Sequence, residues 1–245
     1  MRYATLWAAW LLPLSGVLII VASETGLFKL GTLKEWQSLI GASFAIIAAA
    51  IGASVVVHQT RTTERLQREL RRGRFLAERA QLPLALNEVA KYAKCAAKAL
   101  DEIYGQRTGN TIPTAAVIPA FPMLPTTGIE RFAKVIETAD CDQVRTQLAL
   151  LLQRLQVQSA RMLGLIDQIP DPTHLVHIIN IESYIIDAAE VYARVSDLYD
   201  YAREENDLPK DTWGRRAAST ALNLMEIRDI THPRVHLHVS WMIKP

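Results

Sequence analysis

Two long apolar stretches stand at the start of the chain, and a pattern of alternating apolar and polar positions follows them. The first stretch runs from Tyr3 to Ala22 with Pro13 as its only interruption, and the second, from Leu39 to Val57, contains no charged residue. Each has roughly the 20 residues that a helix needs to cross ~30 Å of hydrocarbon. We therefore predict a transmembrane hairpin, residues 1–57, with spans at about 3–22 and 39–57.

A secretory signal peptide is the alternative interpretation of the first stretch. The small residues Val21, Ala22 and Ser23 could form a cleavage site. However, the apolar run is longer than the ~7–15 residues of the usual apolar region of a signal peptide. A membrane span therefore remains the favoured interpretation.

Residues 83–245 carry the periodicity of amphipathic helices. Heptad-like seams extend from Val144 to Ile169 and from Ile178 to Ala202, and Gln158 is the one polar interruption of the first seam. With a helix after Pro83 and another at about 211–229, these seams predict an all-α fold, an antiparallel bundle of about four long helices. A short helix near Thr127 would lie across one end. The alternation of apolar residues from Arg234 to Met242 predicts a short extended C-terminal tail.

The segment from Gly105 to Gly128 interrupts the helical pattern with four prolines, three of which recur every third residue. This spacing is the period of polyproline II, which a groove on a partner could recognise. Because the segment also holds apolar residues such as Phe121 and Leu124, we favour an ordered loop that packs over its own bundle.

Arginines dominate residues 58–82, which we interpret as a basic helical stalk that continues the second span. An excess of positive charge beside a span indicates the cytoplasmic side, and anionic headgroups attract each such side chain by roughly 1 kcal/mol. The formal net charge is only +2, and no nucleic-acid recognition motif is present, so a nucleic-acid partner is not expected. The predicted membrane-surface stripe consists of Arg61, Arg65, Arg68, Arg71, Arg72, Arg74 and Arg79.

Small residues line one face of the second span, at Gly41, Ala45, Ala48 and Gly52. In lipid, such faces allow helices to approach closely. The face could pack against the first span of the same chain, or it could join copies into an oligomer or a pore. The sequence leaves both arrangements open.

No phosphate-binding glycine loop, nucleophile elbow, HExxH sequence or zinc spacing occurs in the chain, so we expect no cofactor and favour a protein without catalytic activity. The best remaining candidates are His174, His177 and His232, which could ligate a transition metal if the C-terminal tail folds back. Histidines at helix ends are more often solvated or capping residues.

These observations favour a membrane-anchored helical-bundle interaction protein, a scaffold or regulator at the cytoplasmic face of a bacterial-type inner membrane. Its expected partners are the bilayer and either another protein or further copies of the chain, and both termini would be cytoplasmic. The alternative is an oligomeric, channel-like membrane effector gated by the bundle. Neither span contains an ionisable residue that would support conduction, which favours the first hypothesis.

Overall fold

The computed structural model describes residues 33–243, with side chains described from residue 41 onward. Six helices and no strand occur in this part of the chain. They are α1 (Leu33–Gly105), α2 (Thr126–Thr138), α3 (Asp142–Gln168), α4 (Ile178–Ala202), α5 (Arg215–Leu224) and α6 (Pro233–Met242). The predicted all-α class is therefore confirmed.

One described helix, α1, is long and apolar enough to cross a membrane. Its most apolar 18-residue window has a mean hydropathy of 1.9, and none of that window is buried. Every residue from 41 to 74 is exposed to the surroundings. The first predicted span, 3–22, lies outside the described residues, so the structure shows one candidate span rather than a hairpin.

The contacts of the chain separate two compact units, with the division between Arg68 and Glu69. In the second unit, α1 supplies a row of fully buried residues at three- and four-residue steps, from Leu82 through Val89 to Ile103. Leu84 lies off this row and is 53% exposed. The helix runs without a break through Gly73, within the predicted stalk, and through Pro83, where the bundle was predicted to begin.

The seam predicted for α3 is buried along its whole length, from Val144 to Ile169. Its polar interruption, Gln158, is also fully buried, and its Oε1 accepts a hydrogen bond of 2.7 Å from the Tyr92 hydroxyl on α1. A buried amide needs such a partner, because an unpaired polar group in the core costs about 1–3 kcal/mol. Gln158 therefore fixes the contact between α1 and α3.

Helix α4 lies at the centre of the second unit, and 15 of its 25 residues are buried. It runs antiparallel to α3, as predicted, because Arg154 pairs with Glu190 whereas the later Arg161 pairs with the earlier Asp187. Helices α3, α5 and α6 all pack against α4. The apolar surface of α4 is thus covered on most sides.

Helix α2 approaches α1 closely at Gly128. A Cβ atom at this position would lie 3.3 Å from the Ala85 carbonyl oxygen and 3.7 Å from Val89 Cγ2, so a larger side chain would push the two helices apart. Thr127 and Glu130 have the spacing of a capping box, but α2 begins at Thr126 and has no side-chain cap.

The loop before α2 packs on the bundle, as the favoured interpretation predicted. Ile118, Phe121 and Leu124 lie against the core, and Gln106 exchanges two hydrogen bonds, of 2.8 and 2.7 Å, with the backbone of Val117. Some apolar surface of the loop is still exposed, most of all Met123.

The C-terminal part differs from the prediction in two ways. Helix α5 covers only Arg215–Leu224 of the predicted 211–229, and residues 233–242 form helix α6 rather than an extended tail. Alternating apolar residues also satisfy a helix, because Val235 and Val239 are one turn apart and both are buried. Pro233 at the first turn, where its missing N–H has no helical partner, favours the helix.

Candidate interaction sites

The small-residue face of α1 is open in the described structure. Gly41, Ala45, Ala48 and Gly52 are all exposed, and a Cβ atom built at either glycine would meet nothing within 4 Å. The face therefore has room for a second helix.

The predicted basic stripe divides into two groups with different surroundings. In the first unit, Arg68 pairs with Glu64 at 3.6 Å, and both side chains are more than half exposed. Such exposed pairs contribute little, typically about 0.2–1 kcal/mol. The side chains that remain on the surface of α1 and could meet anionic headgroups are Arg61, Arg65, Arg68, Arg72 and Arg74.

Arg71 and Arg79 instead contact helix ends within the second unit. Arg71 donates hydrogen bonds of 3.3–3.4 Å to three carbonyl oxygens at the C-terminus of α2 and lies 3.5 Å from Asp140. Arg79 donates to the Tyr201 carbonyl oxygen at the end of α4, at 2.6 and 3.1 Å, and its guanidinium stands 4.2 Å from the centre of the Tyr201 ring. Burial raises the pKa of Tyr201, and the charge of Arg79 opposes that rise.

The three candidate metal ligands do not come together. His174 Nδ1 lies 2.7 Å from Asp171, His177 is the residue before α4, and His232 Nε2 lies 2.6 Å from Asp101 on α1. Across residues 33–243, no group of three or more His, Cys, Asp or Glu side chains could hold a metal ion. His174 and His232 serve instead as hydrogen-bond partners near helix ends.

Asp171 shows how tightly the turn before α4 is organised. The hydroxyl and backbone N–H of Thr173, followed by His174, hold the pKa of this carboxyl at about 2, below its ordinary 3.8. Because these bonds favour the charged form, their stabilisation of the turn is present above pH 3.8 and is lost as the pH falls through 2.

We expect an NMR titration of Asp171 to give a midpoint near 2. Thr173→Ala removes the hydroxyl that contributes most, so the midpoint should rise toward 3.8. Thr212→Ala, which removes a hydroxyl from Asp197 instead, is the matched control and should leave the Asp171 midpoint unchanged. An unshifted midpoint in the Thr173 variant would contradict the assigned hydrogen bonds.

The strongest candidate for a binding surface is a groove of about 280 Å³ between α4 and α6, which we call the α4–α6 groove. Its rim is apolar and open, with Trp241 78% exposed. Its floor is a buried carboxylate, Glu182, with His238 Nδ1 at 3.2 Å from Oε2 and Arg234 Nε at 3.1 Å from Oε1. Arg234 and Glu182 attract each other by charge, but the angle between their groups is unsuitable for a hydrogen bond. The other apolar residues of the rim are Ile179, Leu237 and Met242.

A second charged cluster, which was not predicted from the sequence, lies deeper in the bundle. Glu190 Oε1 accepts a hydrogen bond of 2.8 Å from Arg194 Nε and lies 3.0 Å from Arg154 Nε. The Glu190 and Arg194 side chains are only 7% and 8% exposed. Both are charged residues one turn apart on α4. Because this spacing equally suits a solvated helix face, their burial becomes evident only from the packing of the folded chain.

Comparison with known proteins adds no relative. No protein-family model, no curated protein and no solved structure matches this chain.

Proposed function

We propose that this protein is an interaction protein, a scaffold or regulator without catalytic activity, and that α1 anchors it in a membrane. The observation that carries the proposal is the two-part character of α1. One part is an apolar stretch that no described residue covers, and another part supplies buried core residues of the bundle. An uncovered apolar stretch of this length is stabilised by lipid, and the bundle is then held beside the bilayer.

The arginines that follow residue 57 support a cytoplasmic position for the bundle, as the positive-inside rule predicts. We place the protein in a bacterial-type inner membrane with both termini cytoplasmic. The first span at 3–22 belongs to this proposal, since two spans bring the termini to one side.

The α4–α6 groove is the surface that we propose for a protein partner. Exposed tryptophan beside other apolar side chains is typical of the residues that dominate interface energies. The groove lies between two helices, which suits an apolar helix or extended segment of a partner.

Photo-crosslinking in native membranes tests this surface. A photoreactive phenylalanine analogue in place of Leu237, which is 56% exposed, should give a discrete protein adduct. The same analogue in place of the exposed Asp167, on α3, is the matched control and should not. Because the partner would rest on Trp241, Trp241→Ala should abolish the Leu237 adduct. An adduct equal at both positions, or unaffected by Trp241→Ala, would argue against the groove.

The open small-residue face supports a second candidate, an oligomeric channel-like effector. If this face joins copies of the chain, leucine in place of Gly41, Ala48 and Gly52 should dissociate the assembly, because helices could no longer approach closely. The mass of the detergent-solubilised protein should then fall to that of the monomer. An unchanged mass would count against the channel.

A further inference from the structure

Helix α1 contains a weak segment within the second unit. Gly73 lowers helix stability by about 0.5–1 kcal/mol relative to alanine. Pro83 has no N–H to donate, so the carbonyl oxygen of Arg79, four residues earlier, lacks its helical hydrogen bond. Burial compensates only in part here, since Phe75 packs against the core but Gly73 and Arg74 are exposed and Leu76 is 47% exposed. The core contacts of α1 become continuous only from Leu82.

Arg79 braces this segment at the position where the proline weakens it. Its guanidinium holds the Tyr201 carbonyl oxygen through two hydrogen bonds, reaches the Asn206 carbonyl oxygen at 3.3 Å, and stacks on the Tyr201 ring. A positive charge at the C-terminus of α4 is also favoured by the helix dipole. The short, partly buried contacts make Arg79 a firm attachment.

Arg71 braces the other end of the segment more loosely. All of its hydrogen bonds, to the carbonyl oxygens of Glu137, Thr138 and Ala139, measure 3.3–3.4 Å, and the Asp140 carboxylate is 3.5 Å away. The Arg71 side chain is 47% exposed and the Asp140 side chain 79% exposed. Long and solvent-accessible bonds of this kind are weaker than the Arg79 contacts.

From this combination we propose that residues 73–83 of α1 are a hinge held closed by two arginine attachments, and that the Arg71 attachment opens first. Arg71 and Arg79 are then conformational residues rather than headgroup ligands. Opening at Arg71 frees the segment from α2, and Arg79 still holds it to α4. The hinge does not depend on what covers the apolar stretch of α1.

Hydrogen–deuterium exchange of the full chain in lipid nanodiscs tests the hinge. In Arg71→Ala, backbone amides of residues 69–82 should exchange about threefold faster, and in Arg79→Ala about tenfold faster, since Arg79 makes the stronger hydrogen bonds. Arg74→Ala is the matched control, because it removes the same charge from the same segment, and the described structure shows no contact for Arg74. All variants are compared in nanodiscs of zwitterionic lipid, which offer Arg74 no anionic headgroup. Arg74→Ala should leave exchange unchanged.

Gly73→Ala gives the complementary test, because the added methyl meets no atom within 4 Å and alanine favours the helix. It should slow exchange in residues 69–82 about three- to fivefold. Equal exchange in the Arg71, Arg79 and Arg74 variants would overturn the proposal. If Arg79→Ala also speeds exchange in the core of α3, the whole bundle has opened and that variant does not report on the hinge. Gly73→Ala then provides the test, and unchanged exchange in residues 69–82 of that variant would overturn the hinge.

Discussion

Arginine in place of both Ile47 and Ile51 should release the protein from the membrane, provided that α1 is the only apolar segment left in the chain. The comparison uses a chain shortened to residues 31–245, which lacks the first predicted span. Each arginine near the centre of a span costs about 2.5–3.5 kcal/mol, so the pair removes about 5–7 kcal/mol of insertion free energy. The measurement is the fraction of protein that floats with liposomes after alkaline extraction. We expect the unmodified shortened chain to float and the double arginine variant to remain soluble.

Alanine in place of Ile47 and Ile51 is the matched control, because it keeps the segment uncharged. Neither position belongs to the small-residue face, so helix packing there is not disturbed. The alanine variant should still float. If the arginine variant floats equally well, the apolar stretch of α1 does not hold the protein in the bilayer, and the proposed anchor is wrong.

Replacing Glu190 by alanine should lower the free energy of unfolding of the bundle by about 3–5 kcal/mol. Its carboxylate is the partner of the buried Arg194 and of Arg154. Without it, the Arg194 guanidinium stays in the core, and among the described residues the Asp211 carboxylate, at 3.8 Å, is the one remaining acidic partner. Denaturant unfolding followed by circular dichroism measures the change.

Asp142→Ala provides the comparison for Glu190. Asp142 also pairs with an arginine, Arg145, but its side chain is 91% exposed, so the loss should stay within about 1 kcal/mol. Equal losses in the two variants would show that the Glu190 cluster is solvated rather than buried.

The helices that are predicted best from the sequence are those whose apolar periodicity fits one type of secondary structure only. The α3 seam keeps a three- and four-residue spacing over seven turns, and every predicted position is buried. Even Gln158, which breaks the seam in sequence, keeps its place because Tyr92 supplies a hydrogen bond. Long periodic segments specify both the helix and the face that it buries.

Short segments and charged residues were predicted less well, for physical reasons. Ten residues around Val235 and Val239 satisfy the periods of both a strand and a helix, and only contact with α4 selects the helix. Arginines near a span have two possible partners, lipid headgroups and the carbonyl oxygens of helix ends. Sequence gives their charge, whereas the partners of Arg71 and Arg79 lie more than 60 residues away along the chain.

We expect the apolar stretch of α1 to lie in a bilayer and the helix to leave the bilayer before residue 61. Spin labels placed one at a time at positions 41–64 of the reconstituted protein, with Cys95 and Cys141 replaced by serine, report this directly. Labels at 41–57 should be relaxed mainly by oxygen, which concentrates in lipid, and labels from residue 61 onward mainly by a water-soluble nickel chelate. Ready access of the chelate throughout 41–57 would contradict the account.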